Sequence, residues 1–135
     1  MLRAFSFVVF LAISGLPVPA QQRLDGAAFD ALTRGQTFYY GYGSVPYGAE
    51  EYLDNRRVRW SFLDGQCKDG YWYETIEQLI CFVYEDRPDA PQCWAFFSEN
   101  GRLRASFENG AEAPPLYQIE RTSEPMLCLG PEVGV

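Results

Sequence analysis

The sequence contains no histidine, and this absence removes many kinds of catalysis. Histidine supplies the base of Ser-His-Asp and Cys-His sites, many acid–base steps near neutral pH, and a large share of metal and haem ligands. Without it, any catalysis has to rely on carboxylates. We therefore predict a protein that is not an enzyme, has no metal site and needs no cofactor.

Positive charge is also scarce, because 11 Lys and Arg stand against 18 Asp and Glu, giving a formal net charge of −7. Binding to nucleic acid requires clustered cations that neutralise phosphates, so we predict no nucleic-acid partner. The acidity is typical of a soluble protein. It also suits a cationic protein or a small ligand as the partner.

Residues 1–20 have the organisation of a cleaved signal peptide. Arg3 supplies the positive start, residues 5–13 form an apolar run, and Val18-Pro19-Ala20 supplies small residues at the cleavage point. The apolar run is shorter than the ~20 residues that span a bilayer, so we predict no transmembrane anchor. The mature chain then begins at Gln21, carries 10 Lys and Arg against 18 Asp and Glu, and is periplasmic or secreted.

Four cysteines, all in the mature part, predict two disulfides. Metal ligation is the rival interpretation, but the chain has no CxxC pair and no histidine. A hairpin centred near Arg87 would place Cys81 opposite Cys93, which leaves Cys67 to pair with Cys128. If Cys81 and Cys93 do not face each other, pairing of Cys67 with Cys81 and of Cys93 with Cys128 becomes the better interpretation.

The residue pattern predicts one short helix followed by a series of strands. Asp25 is a candidate N-cap, residues 27–34 permit a helix, and Gly35 stands where a helix ends. From Thr37 onward, β-branched and aromatic residues are interrupted by turn signals roughly every ten residues. We predict a single mainly β domain over residues 21–135. It forms an antiparallel meander or small barrel of about seven or eight strands, with the N-terminal helix plugging or flanking the sheet.

The pair Asp64-Gly65 suits a two-residue type I′ hairpin turn. In that register Phe62 lies opposite Cys67 and faces the core. The same register places Asp69 opposite Trp60 on the core face, where an unpaired carboxylate is costly. A β-bulge at Lys68-Asp69-Gly70 would relieve this conflict.

The pair Asn100-Gly101 predicts a second hairpin, in which Glu99 pairs with Arg102 and Trp94 with Phe107. Alternation then separates one apolar face from one charged face. The predicted core face consists of Trp94, Phe96, Leu103, Ala105 and Phe107.

Two groups of residues are candidates for ligand binding. Arg56, Arg57 and Arg59 together with Trp72 could bind an anionic or glycan ligand through cation–π and bidentate contacts. Tyr40 and Tyr47, in a segment rich in tyrosine and glycine, could line the mouth of a cavity. A solvated strand face and packing at a sheet edge account for the same residues without any ligand.

Several acidic groups could supply the two carboxylates of a glycoside hydrolase. The candidates are Glu50-Glu51, Glu74 with Glu77, and Glu85-Asp86. Adjacent carboxylates in loops are more typical of soluble surface, so we do not assign them a catalytic role.

A series of short motifs over residues 24–135 resembles a group of small exported alphaproteobacterial proteins of unknown function. The motifs are Gly35-x-Thr37, Tyr47-Gly48-Ala49-Glu50-Glu51-Tyr52, Arg57-Val58-Arg59-Trp60, Cys67 to Tyr73 with Trp72, Ile80-Cys81-Phe82 and Cys93-Trp94. The resemblance implies a Gram-negative periplasmic setting and an antiparallel β fold. It implies no activity.

These observations favour a non-catalytic periplasmic or secreted module that binds a ligand or associates with the cell envelope. One alternative is an acidic inhibitor of a cationic secreted hydrolase, and another is a carboxylate-based hydrolase. A deep apolar cavity would favour ligand binding, whereas a protruding acidic loop would favour inhibition. Two carboxylates about 5–9 Å apart in a cleft would favour hydrolysis.

The first prediction concerns processing. Because Val18-Pro19-Ala20 presents small residues to a signal peptidase, the exported protein should begin at Gln21. Intact-mass measurement of the exported protein checks this. A mass that retains residues 1–20 would show that this segment is a structural or anchoring element.

Overall fold

The computed structural model describes residues 15–16 and 21–129. The predicted signal peptide lies outside the described residues, apart from residues 15 and 16. A single α-helix and nine strands make up the described part, with a 3₁₀ turn at Asp54–Arg56. The elements are β1 (Gln22–Arg23), α1 (Gly26–Thr33), β2 (Thr37–Tyr42), β3 (Val45–Tyr52), β4 (Arg57–Ser61), β5 (Lys68–Glu74), β6 (Ile80–Tyr84), β7 (Gln92–Glu99), β8 (Arg102–Phe107) and β9 (Leu116–Thr122).

Eight of the strands form a closed antiparallel barrel. From β2 to β9 each strand pairs with the next along the chain, and β9 returns to pair with β2. The extra strand β1 pairs with Phe97 and Ser98 of β7. It extends the part of the β7 edge that β6 leaves uncovered, since β6 pairs only with Gln92–Trp94. The mainly β fold class is confirmed, and the meander closes into a barrel.

The helix begins and ends where its capping residues lie. The Asp25 side chain accepts a hydrogen bond from the backbone N–H of Ala28 at 2.8 Å, which satisfies one of the free donors of the first turn. After the helix, Gly35 adopts a φ of 76°, a left-handed conformation that glycine tolerates best. The observed helix is Gly26–Thr33, one residue earlier at each end than the predicted span 27–34.

Helix α1 closes one end of the barrel. Its residue Phe29 is fully buried and packs against aromatic rings that point inward from three strands. Ring centroids lie 5.4 Å away for Tyr52, 5.2 Å for Trp72 and 4.5 Å for Phe96. Burial of this much aromatic surface is the main apolar contribution at this end. Of the two predicted placements, plugging or flanking the sheet, the structure has the plug.

The hairpin at Asn100-Gly101 forms in the predicted register, with Glu99 opposite Arg102 and Trp94 opposite Phe107. Both turn residues have positive φ, 49° for Asn100 and 80° for Gly101, as a type I′ turn requires. On the predicted core face, Phe96, Leu103 and Ala105 are buried, while Trp94 is partly buried against them and Phe107 is also partly exposed.

The register predicted for the first hairpin is wrong by one residue. Trp60 pairs with Lys68, and Arg59 pairs with Asp69. Instead of a two-residue turn, residues 62–67 form a loop in which the Asp64 side chain accepts a hydrogen bond from the Gln66 N–H. Phe62 lies in this loop, 48% exposed, with its ring against those of Tyr47 and Trp60.

The observed register removes the conflict at Asp69 without a bulge between β4 and β5. Asp69 lies on the outer face, where its carboxylate is 2.8 Å from the Arg59 guanidinium. A carboxylate in water beside a cation costs far less than one buried opposite Trp60. This difference explains why the longer loop is preferred over the tight turn.

Both predicted disulfides are confirmed. Cys81 lies directly opposite Cys93 in the β6–β7 pair, so this bridge joins neighbouring strands. Cys67 is bonded to Cys128, with Cα atoms 5.7 Å apart, and attaches the segment after β9 to the β4–β5 loop. Disulfides of this kind persist in oxidising compartments.

The C-terminal segment, residues 123–129, lies along the outside of the barrel. The N–H of Met126 donates to the Glu51 carboxylate at 3.2 Å, and the Thr37 hydroxyl donates to the Glu124 carbonyl at 3.0 Å. At its end, the N–H of Leu129 donates to the Gly65 carbonyl at 2.7 Å. Among residues 15–16 and 21–129, no helix has both the length and the apolar character needed to cross a membrane.

The second prediction tests the helix plug. Phe29→Ala should lower the free energy of unfolding by about 3–5 kcal/mol, because it removes a fully buried ring and leaves a cavity among aromatic side chains. Phe62→Ala, the same change at a half-exposed position, should cost about 1 kcal/mol or less. Urea unfolding of both variants measures this. Equal losses would show that α1 does not seal the barrel.

Candidate functional site

A cavity of about 190 Å³ occupies the barrel interior at the end away from α1. Eight strands enclose an interior just wide enough to be filled by side chains or to hold one small ligand. Here the α1 end is filled and the other end is not. Aromatic rings supply most of the wall, from Tyr40, Tyr47, Tyr52, Trp60, Phe62, Phe82, Tyr84, Trp94 and Phe96.

Strand β3 supplies the residues that shape one side of the cavity. Its alternation points Gly48, Glu50 and Tyr52 inward. A β-carbon at Gly48 would overlap the indole of Trp60, so glycine lets that ring lie flat against the strand. Tyr47 is the extra residue of a β-bulge, since Gly48 pairs with Tyr40 and Pro46 pairs with Gly41. A bulge redirects a side chain, and Tyr47 thereby lines the mouth.

Glu50 places a carboxyl group inside this aromatic wall. Its side chain is only 2% exposed. The hydroxyl of Tyr84 donates to this carboxyl and lies 3.0 Å from each of its two oxygens. No salt bridge of the described residues includes Glu50. The carboxyl group therefore has a phenol as partner and no cation.

Two further phenols lie deep in the cavity. The hydroxyls of Tyr40 and Tyr52 are 2.8 Å apart and share one hydrogen bond. Together with the Tyr84 hydroxyl and the Glu50 carboxyl, they form a small polar group within an aromatic enclosure. Binding sites for small molecules commonly have this composition, in which a few polar atoms fix the orientation of the ligand.

Burial controls the ionisation of this polar group. It raises the pKa of Glu50 well above its ordinary value, and the hydrogen bond from Tyr84 opposes that effect only in part. Burial is also the largest cause that raises the pKa values of Tyr40, Tyr52 and Tyr84, so these phenols keep their protons. Burial therefore favours the neutral form of all four groups, and Glu50 is the one carboxyl among them.

Two of the charged side chains at the rim form an ion pair, whereas Arg87 is in no salt bridge of the described residues. Lys68 Nζ lies 2.6 Å from the Asp86 carboxylate. This hydrogen bond is the largest cause that lowers the pKa of Asp86. Lys68 also lies 5.5 Å from the ring centroid of Phe62. Arg87 completes the charged rim.

The structure places two of the residues predicted to bind a ligand at the cavity. Tyr40 and Tyr47 line the cavity. Trp72 lies inside the closed end, 2% exposed, with the guanidinium of Arg56 at 4.5 Å from its ring.

Arg57 and Arg59 lie apart from that cavity, on the outer face of β4. This placement follows from alternation along the strand, because Val58 is buried between them. Arg59 pairs with Asp69 there. The two arginines therefore do not share a surface with Trp72, and of the predicted arginine and aromatic group the structure forms the cation–π contact between Arg56 and Trp72.

The side chains of the acidic pair Glu50-Glu51 lie on opposite faces of β3. Glu50 points into the barrel, whereas Glu51 lies on the outer face and accepts a hydrogen bond from Met126. Sequence reasoning treated the pair as adjacent surface charges and missed the role of Glu50 in the cavity. A signal existed, because strict alternation through Gly48 and Tyr52 places Glu50 on the same face as Tyr52.

Comparison of the chain with protein-family models, with curated proteins and with solved structures found no match. The resemblance to small exported alphaproteobacterial proteins therefore stays a prediction. Within the described residues, no group of three or more Cys, Asp or Glu side chains is placed to hold a metal ion. The cavity remains the feature with the most functional chemistry in the described part of the chain.

The third prediction concerns the ionisation of Glu50. Its pKa is higher in the folded protein than its ordinary value of 4.5, so above about pH 4.5 the unfolded chain loses this proton while the folded chain keeps it. Glu50 therefore makes the protein less stable as pH rises, up to its folded pKa. Glu50→Gln removes this contribution to the pH dependence of stability. The free energy of unfolding of the variant, relative to that of the wild type, should therefore rise with pH from about 4.5.

Urea unfolding of the two proteins between about pH 4 and 8 measures the difference in their free energies of unfolding. The other carboxyl groups are the same in both proteins, so their contributions to the pH dependence cancel in this difference. Tyr84→Phe should enlarge the pH dependence, because it removes the hydrogen bond that favours the ionised form. A constant difference between Glu50→Gln and the wild type would show that Glu50 ionises normally in the folded barrel.

Proposed function

We propose that this protein is a non-catalytic, exported binding protein whose barrel holds one small molecule in the aromatic cavity. The observation that carries the proposal is the unfilled end of a closed barrel, in which Glu50 lies among phenols and indoles. Concave, largely aromatic sites with a few convergent polar groups are the usual form of small-molecule sites.

Two features support an exported location. The two disulfides suggest an oxidising extracellular environment. Residues 1–20 have the pattern of a signal peptide, which would deliver the chain to the periplasm or to the medium. Disulfides also suit the site itself, because the Cys81–Cys93 bridge joins β6 and β7, and both strands line the cavity.

A carboxylate-based hydrolase is the less well supported alternative. Glycoside hydrolysis uses two carboxyl groups that flank one bond. In the cavity, Glu50 is the deep carboxyl, while Glu51 lies on the other face of β3 and Asp86 is bonded to Lys68 at the rim. None of these is a free second carboxylate beside Glu50.

An acidic inhibitor of a cationic hydrolase would use exposed carboxylates on a loop. The β6–β7 loop begins with Glu85 and Asp86, but both acids already have partners in the barrel. Glu85 accepts a hydrogen bond from the Asp69 N–H at 3.1 Å, and Asp86 pairs with Lys68. These internal contacts favour ligand binding over inhibition.

The fourth prediction tests cavity binding with a neutral probe, benzyl alcohol. Added to the exported protein, it should cause saturable NMR shifts of the indole N–H groups of Trp60 and Trp94, which line the cavity. The indole of Trp72, behind the helix plug, should shift least.

Gln92→Trp should weaken this binding about tenfold or more, because Gln92 lines the cavity and an indole there would occupy it. Gln66→Trp is the matched control, since Gln66 is exposed in the β4–β5 loop and does not line the cavity. Absence of saturable shifts, or equal binding by both variants, would refute cavity binding.

A further inference from the structure

We infer that the ligand is a small organic cation whose ammonium group lies beside Glu50. This inference rests on the proposed function and names the class of ligand for the same cavity. It follows from three features of the cavity: Glu50 pairs with no cation of the described residues, the wall is aromatic, and the volume is small.

The first feature is the missing partner of Glu50. A buried carboxylate is costly unless a cation or several hydrogen-bond donors compensate it. Here the only hydrogen bond to the carboxyl group in the described part of the chain comes from the Tyr84 hydroxyl. Lys68, a cation of the cavity wall, is bonded to Asp86 instead. A positively charged ligand would supply the compensation that the described residues do not.

The second feature is the aromatic wall. The faces of Trp and Tyr rings carry negative potential and attract cations, with the strongest effect where water is excluded. Tyr47, Trp60 and Tyr84 line the cavity together with Glu50. A carboxylate combined with several aromatic rings is the arrangement that recognises alkylated ammonium groups, because methyl groups on nitrogen spread the charge over an apolar surface.

The third feature is charge and size at the mouth. An anionic ligand deep in the cavity would lie beside the Glu50 carboxyl, and the cations of the rim are Lys68, which Asp86 holds at 2.6 Å, and Arg87, which forms no salt bridge in the described part of the chain. The volume of about 190 Å³ is somewhat larger than the ~150 Å³ cavity that admits benzene. It therefore suits a compact ammonium compound rather than a long lipid chain.

Binding of a cation should be coupled to the loss of a proton from Glu50. The titratable groups that face Glu50 are Tyr84 from β6, Tyr40 from β2 and Tyr52 from β3, and all three phenols stay protonated. Asp86, at the rim, is held in its charged form by Lys68. Affinity for a cation should therefore increase with pH through ionisation of Glu50, by up to about tenfold per pH unit.

The experiment compares three molecules of nearly equal shape by calorimetric titration of the exported protein. Choline carries a positive charge, 3,3-dimethyl-1-butanol replaces its nitrogen with carbon and is neutral, and 3,3-dimethylbutanoate is an anion. Choline should bind about tenfold or more tightly than the alcohol, and the anion should bind most weakly. The affinity for choline should increase with pH, whereas that for the alcohol should not.

Two variants locate the effect. Glu50→Gln should abolish both the preference for choline over the alcohol and its dependence on pH. Glu51→Gln is the matched control, because it makes the same substitution at the next residue, on the outer face of β3. It should retain the preference. If Glu50→Gln does not fold, the comparison of the three molecules across pH on the wild type decides the question alone.

Each result has a distinct meaning. Equal binding of choline and the alcohol, tighter binding of the anion, or a preference that survives Glu50→Gln would overturn the cation inference. If the alcohol or benzyl alcohol still binds and Gln92→Trp blocks it, the proposed binding function stands while the ligand class is wrong. If none of the molecules binds, both are refuted.

Discussion

The interior width of an eight-stranded barrel is the constraint on which the rest of this structure depends. A barrel of this size has to be filled along its whole length or it leaves a cavity. At one end, Phe29 from α1 fills the space between Tyr52, Trp72 and Phe96. At the other end no helix or loop takes that role in the described part of the chain, and the inward-pointing residues face open space. The candidate site is thus the unfilled half of a single hydrophobic core.

Features governed by local chemistry were predictable from the sequence. Asp25 and Gly35 bound the helix because capping and left-handed conformations depend on neighbouring residues. Asn100-Gly101 determines its hairpin register for the same reason. Features governed by distant residues were not predictable from the sequence. The β4–β5 loop follows from the outward placement of Asp69 and from the bond of Cys67 to Cys128, and neither effect can be read from Asp64-Gly65 alone.

The candidate site was predictable only in part, because the face of each strand had to be known first. Tyr40 and Tyr47 were identified, although Tyr47 enters the cavity through a bulge that no turn signal marks. Glu50 was visible as an acidic residue but not as a buried one, since burial depends on closure of the whole sheet. Arg57, Arg59 and Trp72 are close in the β4–β5 hairpin, yet Trp72 points inward while the arginines point outward.

Closure by β9 also sets the order in which the chain can fold. Thr37, at the start of the barrel, pairs with Thr122, and β1 pairs with Phe97 and Ser98. Contacts between residues so far apart in the sequence are slow to form, because the loop between their strands must first be closed. The first strand of the barrel, β2, therefore has one unpaired edge until β9 has been made. The barrel can therefore complete its hydrogen bonding only after all of residues 37–122 have been synthesised.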